Sequence, residues 1–194
     1  MGTISPPPGQ PRPAAHAVSA STSASASSAT GGSPWKLALF ALAGLAAVLY
    51  FRRPSYLPDL ALASATAEGT ATGSPESAVF CKGTNGCLVV YVAPWCGPCR
   101  SSLPGDVALA DYIRTKGYET FFVVGMDKTE ACLDMTRSIG RPTRLDTEGK
   151  WAKAAGVRGV PHFLVTTPTG KIVKRQAGAY MAPPEQVAQL LGIS

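Results

Sequence analysis

The first 33 residues lack almost everything a folded core requires. Arg12 is their only charged side chain, and Pro, Ser, Ala, Gly and Thr supply most of the rest. So few large apolar groups cannot offset the entropy of ordering a backbone, and residues 1–33 are expected to be disordered. Other scarcities bound the function. From Glu76 onward fourteen Lys or Arg stand against ten Asp or Glu, with no Lys/Arg block. A nucleic-acid partner therefore has no basic surface to meet, and none is expected. No internal repeat is present, which excludes a solenoid.

Long apolar runs are scarce as well. The uncharged run 37–51, opened by Leu37 and closed by Phe51, is the main one. As a helix it reaches roughly 22 Å, short of a hydrocarbon core of about 30 Å. Trp35 and Tyr50 suit the two interfaces, and Lys36, Arg52 and Arg53 suit snorkelling, so residues 34–53 are read as a short transmembrane anchor. A cleaved signal is the alternative. Its small-residue sites at Ala61, Ala63, Ala65 and Ala67 lie well beyond the run, behind Arg52, Arg53 and Pro54. Residues 54–75 are rich in Ala, Thr, Ser and Gly and are expected to form a flexible linker. Residues 76–194 are long enough for one core.

What is present is cysteine in pairs. "VYVAPWCGPCR" holds Cys96 and Cys99, two residues apart, after an apolar run. Such a CxxC binds a metal, closes a structural disulfide or exchanges disulfides, and the spacing alone does not choose. The surrounding periodicities supply context. "CLVVYVA" (87–93) and "YETFFVVGM" (118–126) read as strands covered on both faces. A helix is expected from Pro98 to about Thr115, stopped by Gly117, and another ending at Gly140. A short strand or turn follows, then a helix near 150–155. "PHFLVTT" and "KIVKRQAG" around the 168–170 turn read as a hairpin, and "PPEQVAQLLG" as a closing helix. The order implies an α/β domain, a mixed sheet with helices on both faces.

Trp95-Cys96-Gly97-Pro98-Cys99 after a buried strand, Pro104 five residues past Cys99, and "AGVRGVPHFLV" with Pro161 resemble the thioredoxin family. Residues 128–153, with "LDTEGKWAKAAGVRGVP", are similar to its membrane-tethered TlpA/ResA group, which carries an inserted helix there. The resemblance implies a thioredoxin fold with a TlpA-like helical insertion over residues 76–194. It implies Cys96 and Cys99 as the redox pair and Trp95, Gly97 and Pro98 as active-site support. It further implies a cis Pro161 facing the sulfurs, so that Val160 and Pro161 form a substrate-binding edge.

The chemistry agrees with that resemblance. A cysteine at a helix N-terminus gains thiolate character from the unpaired N–H groups and the dipole. Cys96 is then the nucleophile, and Cys99, one turn on, resolves the mixed disulfide. Two family carboxylates are missing. Val90 stands where thioredoxins keep a buried Asp, and Ser102 where the TlpA/ResA group often has Glu, which leaves no general base identified. His162 follows Pro161 as an ordinary polar side chain or a tuner of the thiols.

In "CKGTNGC" the Asn85-Gly86 turn signal lets Cys81 and Cys87 face each other as a structural disulfide or remain free thiols. Cys132 reads as a small buried residue. The expected protein is a membrane-anchored thiol–disulfide oxidoreductase working in the reducing direction. Its partners are protein thiols or disulfides and an upstream redox protein, with no cofactor and no metal. The resemblance puts the redox domain on the periplasmic side of a bacterial inner membrane. The charges flanking the anchor, Lys36 against Arg52 and Arg53, barely discriminate. A metal carrier or scaffold of copper type, using the CxxC and His162 as ligands, is the alternative.

Overall fold

The computed structural model describes residues 39, 44, 55–76, 81 and 83–194. The expected disordered tail 1–33 lies outside the described residues, as does the anchor 34–53 except for Leu39 and Gly44. Among the described residues, no helix is long and apolar enough to cross a membrane.

The strands are β1 (Leu62–Ala65), β2 (Ala71–Glu76), β3 (Gly86–Val92), β4 (Tyr118–Gly125), β5 (Thr143–Asp146), β6 (His162–Thr166) and β7 (Ile172–Ala177). The helices are α1 (Gly97–Thr115), α2 (Thr129–Ile139), α3 (Lys150–Ala155) and α4 (Pro184–Leu190). One seven-stranded sheet has the order β2-β1-β5-β4-β3-β6-β7. β3, β4 and β5 run parallel through the centre, while β6 and β7 on one side and β1 and β2 on the other are antiparallel.

Strand alternation sorts the core into two faces. Leu88, Val90, Val92, Phe122, Val124, Phe163 and Val165 join the cluster that also holds Cys96, Cys99 and the buried sides of α1, α2 and α4. Val89, Tyr91, Val123 and Leu164 turn to the other face, against Trp151 and Ala155 of α3. Every residue of β3 is buried, as its unbroken apolar run requires in a central parallel strand. Asp146 organises the α3 face. It accepts the backbone N–H groups of Trp151 at 3.0 Å and Ala152 at 2.9 Å, and the Tyr91 hydroxyl at 2.9 Å. Tyr91 stacks on Trp151 with ring centroids 6.1 Å apart. The approach is so close that a Cβ on Gly125 would meet the Tyr91 oxygen at 2.2 Å. Only glycine fits there.

The expected flexible linker 54–75 is corrected by the structure. Ser55 and Leu57 pair in backbone hydrogen bonds beside the hairpin that leads into β7 (Leu57 N to Gly170 O, 2.9 Å; Ile172 N to Ser55 O, 2.8 Å). The chain then forms β1 against β5, and turns through Gly69 (φ 74°) into β2. Leu57 and Leu62 both pack into the α3-side core. The small, polar composition was a poor guide because an edge strand is held by backbone hydrogen bonds. A parallel sheet with an open β5 edge gains a cover at little side-chain cost.

Candidate functional site

The site stands where β3 hands over to α1. Cys96 is the N-cap of α1, in extended conformation, and its sulfur accepts the Cys99 N–H at 3.0 Å. A capping acceptor is normally an oxygen of Ser, Thr, Asp or Asn. Here a sulfur takes one of the orphan donors, so negative charge on Cys96 is stabilised by N–H groups already in place. Cys99 is one turn on, and the two sulfurs are bonded, with Cα atoms 5.2 Å apart. Gly97 and Pro98 lie exposed in the first turn, where the missing proline N–H costs no helical bond.

The Val160–Pro161 peptide is cis, and the Val160 carbonyl oxygen lies 3.5 Å from the Cys96 sulfur. Pro161 is buried and Val160 half-buried. Trp95 is no core residue. It is 57% exposed, and its indole N–H donates to the Met126 carbonyl at 2.9 Å. That bond pins the ring at the rim of an open recess of about 510 Å³ between α1 and α2, lined by Arg100, Leu103, Asp127 and Met135 among others.

One member of the site was missed in the sequence. Asp106 lies two turns past Cys99 on the same buried face of α1, with Ser102 between them. The Ser102 hydroxyl donates to Asp106 Oδ2 at 2.9 Å and lies 3.5 Å from the Cys99 carbonyl oxygen. Burial pushes the Asp106 carboxyl up to about 7, against the Ser102 hydrogen bond, which lowers it. The signal was available. Cys99, Ser102, Asp106 and Leu109 follow the i, i+3, i+7, i+10 stripe that buries the face of a helix, and an Asp on that stripe is unusual.

The remaining cysteines are elsewhere. Cys81 and Cys87 are bonded, with Cα atoms 5.5 Å apart, at the opposite end of β3 from the CxxC. Their loop is tied to the end of α1 by Asn85, whose side-chain amide donates to the Lys116 carbonyl at 2.7 Å. Cys132 is free and buried, and burial pushes its thiol up to about 11. His162 is buried with its ring in a recess on the α3 side. Among the described residues, no group of three or more His, Cys, Asp or Glu is placed to hold a metal ion.

Comparisons with known proteins cover this same part of the chain. The family model of the thioredoxin-like domain matches residues 80–192. The thiol:disulfide interchange protein HelX of Rhodobacter capsulatus is 34% identical over 94 residues, which is 47% of this chain and 51% of HelX. The chain spans about half the length, or less, of the curated relatives it matches. Two solved structures share the fold. A thiol:disulfide interchange protein of the thioredoxin family from Chlorobium tepidum superposes with a TM-score of 0.52 at 18% identity, covering 72% of this chain and 95% of its own. The thioredoxin domain of a thiol-disulfide oxidoreductase from Bacteroides vulgatus superposes with a TM-score of 0.52 at 17% identity, covering 71% and 96%. With a sulfur-capped CxxC helix, a cis proline against the sulfur and a family match over residues 80–192, the chain belongs to the thioredoxin-like family.

Proposed function

We propose that the protein is a membrane-anchored thiol–disulfide oxidoreductase of the TlpA/ResA type, acting on protein substrates in the reducing direction. The observation that carries this reading is the Cys96 sulfur itself. It caps α1, takes the Cys99 N–H, and faces the Val160 carbonyl. The reduced pair works as follows. The Cys96 thiolate attacks one sulfur of a substrate disulfide and expels the other as a thiolate. Cys99 then loses its proton and attacks Cys96 in the mixed disulfide. The second substrate sulfur leaves, and the substrate ends as two thiols while Cys96–Cys99 ends oxidised. An upstream dithiol must return the two electrons.

Asp106, bonded to Ser102, is the titratable group on the Cys99 face of α1 and the candidate acceptor of the Cys99 proton. A carboxyl poised near neutral pH exchanges that proton at working pH. Val160 and Pro161 form the edge against which an extended substrate segment lies. Residues 128–153 are the TlpA-type insertion. The run 37–51 is the anchor, and the redox domain faces the periplasm. The thiol:disulfide interchange description of HelX supports this class of activity.

The test is trapping. A Cys99→Ala protein in its native host should accumulate mixed disulfides with client proteins at Cys96. The intact protein should show a reversible two-electron couple without metal. Absence of mixed disulfides together with stoichiometric bound metal would replace this reading with the carrier alternative. The anchor is tested by carbonate washing, with the mature protein expected to stay in the membrane fraction. A soluble product beginning near Ala65 would overturn it.

A further inference from the structure

On the α3 side of the sheet lies a second recess, about 760 Å³ and open to solvent. Arg158, Arg175, His162, Tyr56 and Ser55 supply its polar lining, and no lining residue is acidic. The two guanidiniums are close enough to act on each other. Burial first, and then the Arg158 charge, lowers the Arg175 pKa. Arg175 donates one N–H to the Ala155 carbonyl at the end of α3. Among the described residues, no carboxylate pairs with either guanidinium. Two like charges sharing an acid-free recess are best satisfied by an anion.

His162 specifies which anion. Its side chain is buried, only 5% exposed, and its Nδ1 lies 3.2 Å from the Gly159 carbonyl oxygen. A carbonyl only accepts, so Nδ1 carries the proton. Nε2 is then a bare acceptor. It is buried, and no hydrogen-bond partner reaches it among the described residues. Burial lowers the His162 pKa against the Gly159 hydrogen bond, which raises it, and the Arg175 charge adds a smaller lowering, so the fold favours the neutral ring. A suitable occupant therefore offers anionic oxygens to two guanidiniums and an O–H donor to Nε2. A carboxylate or sulfate at neutral pH has acceptors only. A singly protonated phosphate has both kinds of group.

We propose that Arg158, Arg175 and His162 form a binding pocket for a phosphate group, with P–O⁻ oxygens on the guanidiniums and a P–OH donating to His162 Nε2. The position gives the pocket a route to the sulfurs. His162 holds the Gly159 carbonyl, and the next carbonyl, of Val160, faces the Cys96 sulfur. Filling the pocket fixes the imidazole and the backbone leading into the Val160–Pro161 edge. That consequence rests on the redox reading; the binding does not.

The experiment titrates the full chain in detergent with inorganic phosphate, glycerol 1-phosphate and sulfate at pH 7.5. It reads heat and the ¹⁵N resonance of His162 Nε2. Saturable phosphate binding is expected, with an upfield shift of that nitrogen as it accepts a proton donor, and sulfate weaker by about tenfold, the loss of one hydrogen bond to a charged ligand. Glycerol 1-phosphate is largely the dianion at this pH and has lost its P–OH, so its phosphate should bind like sulfate; its binding as tightly as inorganic phosphate would overturn the P–OH contact. Arg158→Gln, at an exposed side chain whose loss leaves the core intact, should weaken phosphate about tenfold or more. His162→Phe should erase the preference for phosphate over sulfate. Equal binding of phosphate and sulfate, or affinity untouched by Arg158→Gln, overturns the proposal. Repeating the titration on Cys96→Ser separates the two readings, because binding should survive there while thiol exchange is lost.

Discussion

β3 carries a cysteine pair at each end, and the two pairs have almost the same backbone span. The Cα atoms are 5.5 Å apart in Cys81–Cys87 and 5.2 Å apart in Cys96–Cys99. Their surroundings differ. Cys96 caps a 19-residue helix and receives a backbone N–H on its sulfur. Cys81 sits in a loop, where its sulfur accepts the Thr166 hydroxyl at 3.6 Å, and Cys87 is sealed in the sheet. A helix start stabilises a thiolate and a closed loop does not. The same bond is thus a reagent at one end of the strand and a staple at the other.

The comparison breaks most visibly at Cys96. Cys96→Ala should reduce disulfide-exchange turnover by at least about a thousandfold, since no other sulfur in the site takes a capping N–H. A variant lacking both Cys81 and Cys87 should retain turnover within about twofold. If the second variant loses as much as the first, the division between reagent and staple is wrong.

Asp106 supplies the next largest effect, and it acts on stability as well as rate. Its carboxyl is raised from the ordinary range to about 7 in the fold. Between about pH 4 and 7 the folded state therefore holds a proton that the unfolded chain has lost. Stability is fully present below about pH 4, falls as pH rises to about 7, and is flat beyond. Three pKa units set an upper bound of roughly 4 kcal/mol on that fall. Asp106→Asn should flatten denaturation midpoints over this range and stabilise the protein at pH 8. If Asp106 also holds a proton for Cys99, the variant should lose the pH dependence of resolution near 7 while Cys96 alkylation is unchanged. Identical pH profiles in variant and parent would reduce Asp106 to a buried oddity.

The staple is worth less. Replacing Cys81 and Cys87 with Ala should cost about 2.4 kcal/mol by loop-closure entropy, read as a lower denaturation midpoint. In a redox titration Cys96–Cys99 should be reduced at milder potentials than Cys81–Cys87, because its reduced form has a stabilised thiolate. The reverse order would remove the basis of the comparison. The smallest expected effect is at Cys132. Its buried thiol, pushed up to about 11, should alkylate in the native protein at least tenfold more slowly than reduced Cys96 at pH 7.5.

The sequence by itself determined the order of elements from β3 onward and the place of the redox pair, because both are written in short-range pattern. The apolar run of β3, the proline after Cys96 and the glycines after α1 and α2 each act over a few residues, and they came out within about a residue of the observed bounds. Cys96 and Cys99 were legible for the same reason, one helical turn apart at a strand-to-helix junction. Only the tertiary structure decided the rest. Residues 54–75 look like a tether by composition, yet Ser55 and Leu57 pair beside β7 and β1 pairs with β5, partners distant in sequence. Ser102 read as a missing carboxylate until the helix placed it against Asp106. Arg158, His162 and Arg175 share no periodicity, and the hairpin of β6 and β7 beside α3 is what gathers them around one recess. Local rules depend on neighbours in sequence. A buried acid or a gathered charge depends on which faces the sheet presses together, and that follows from packing alone.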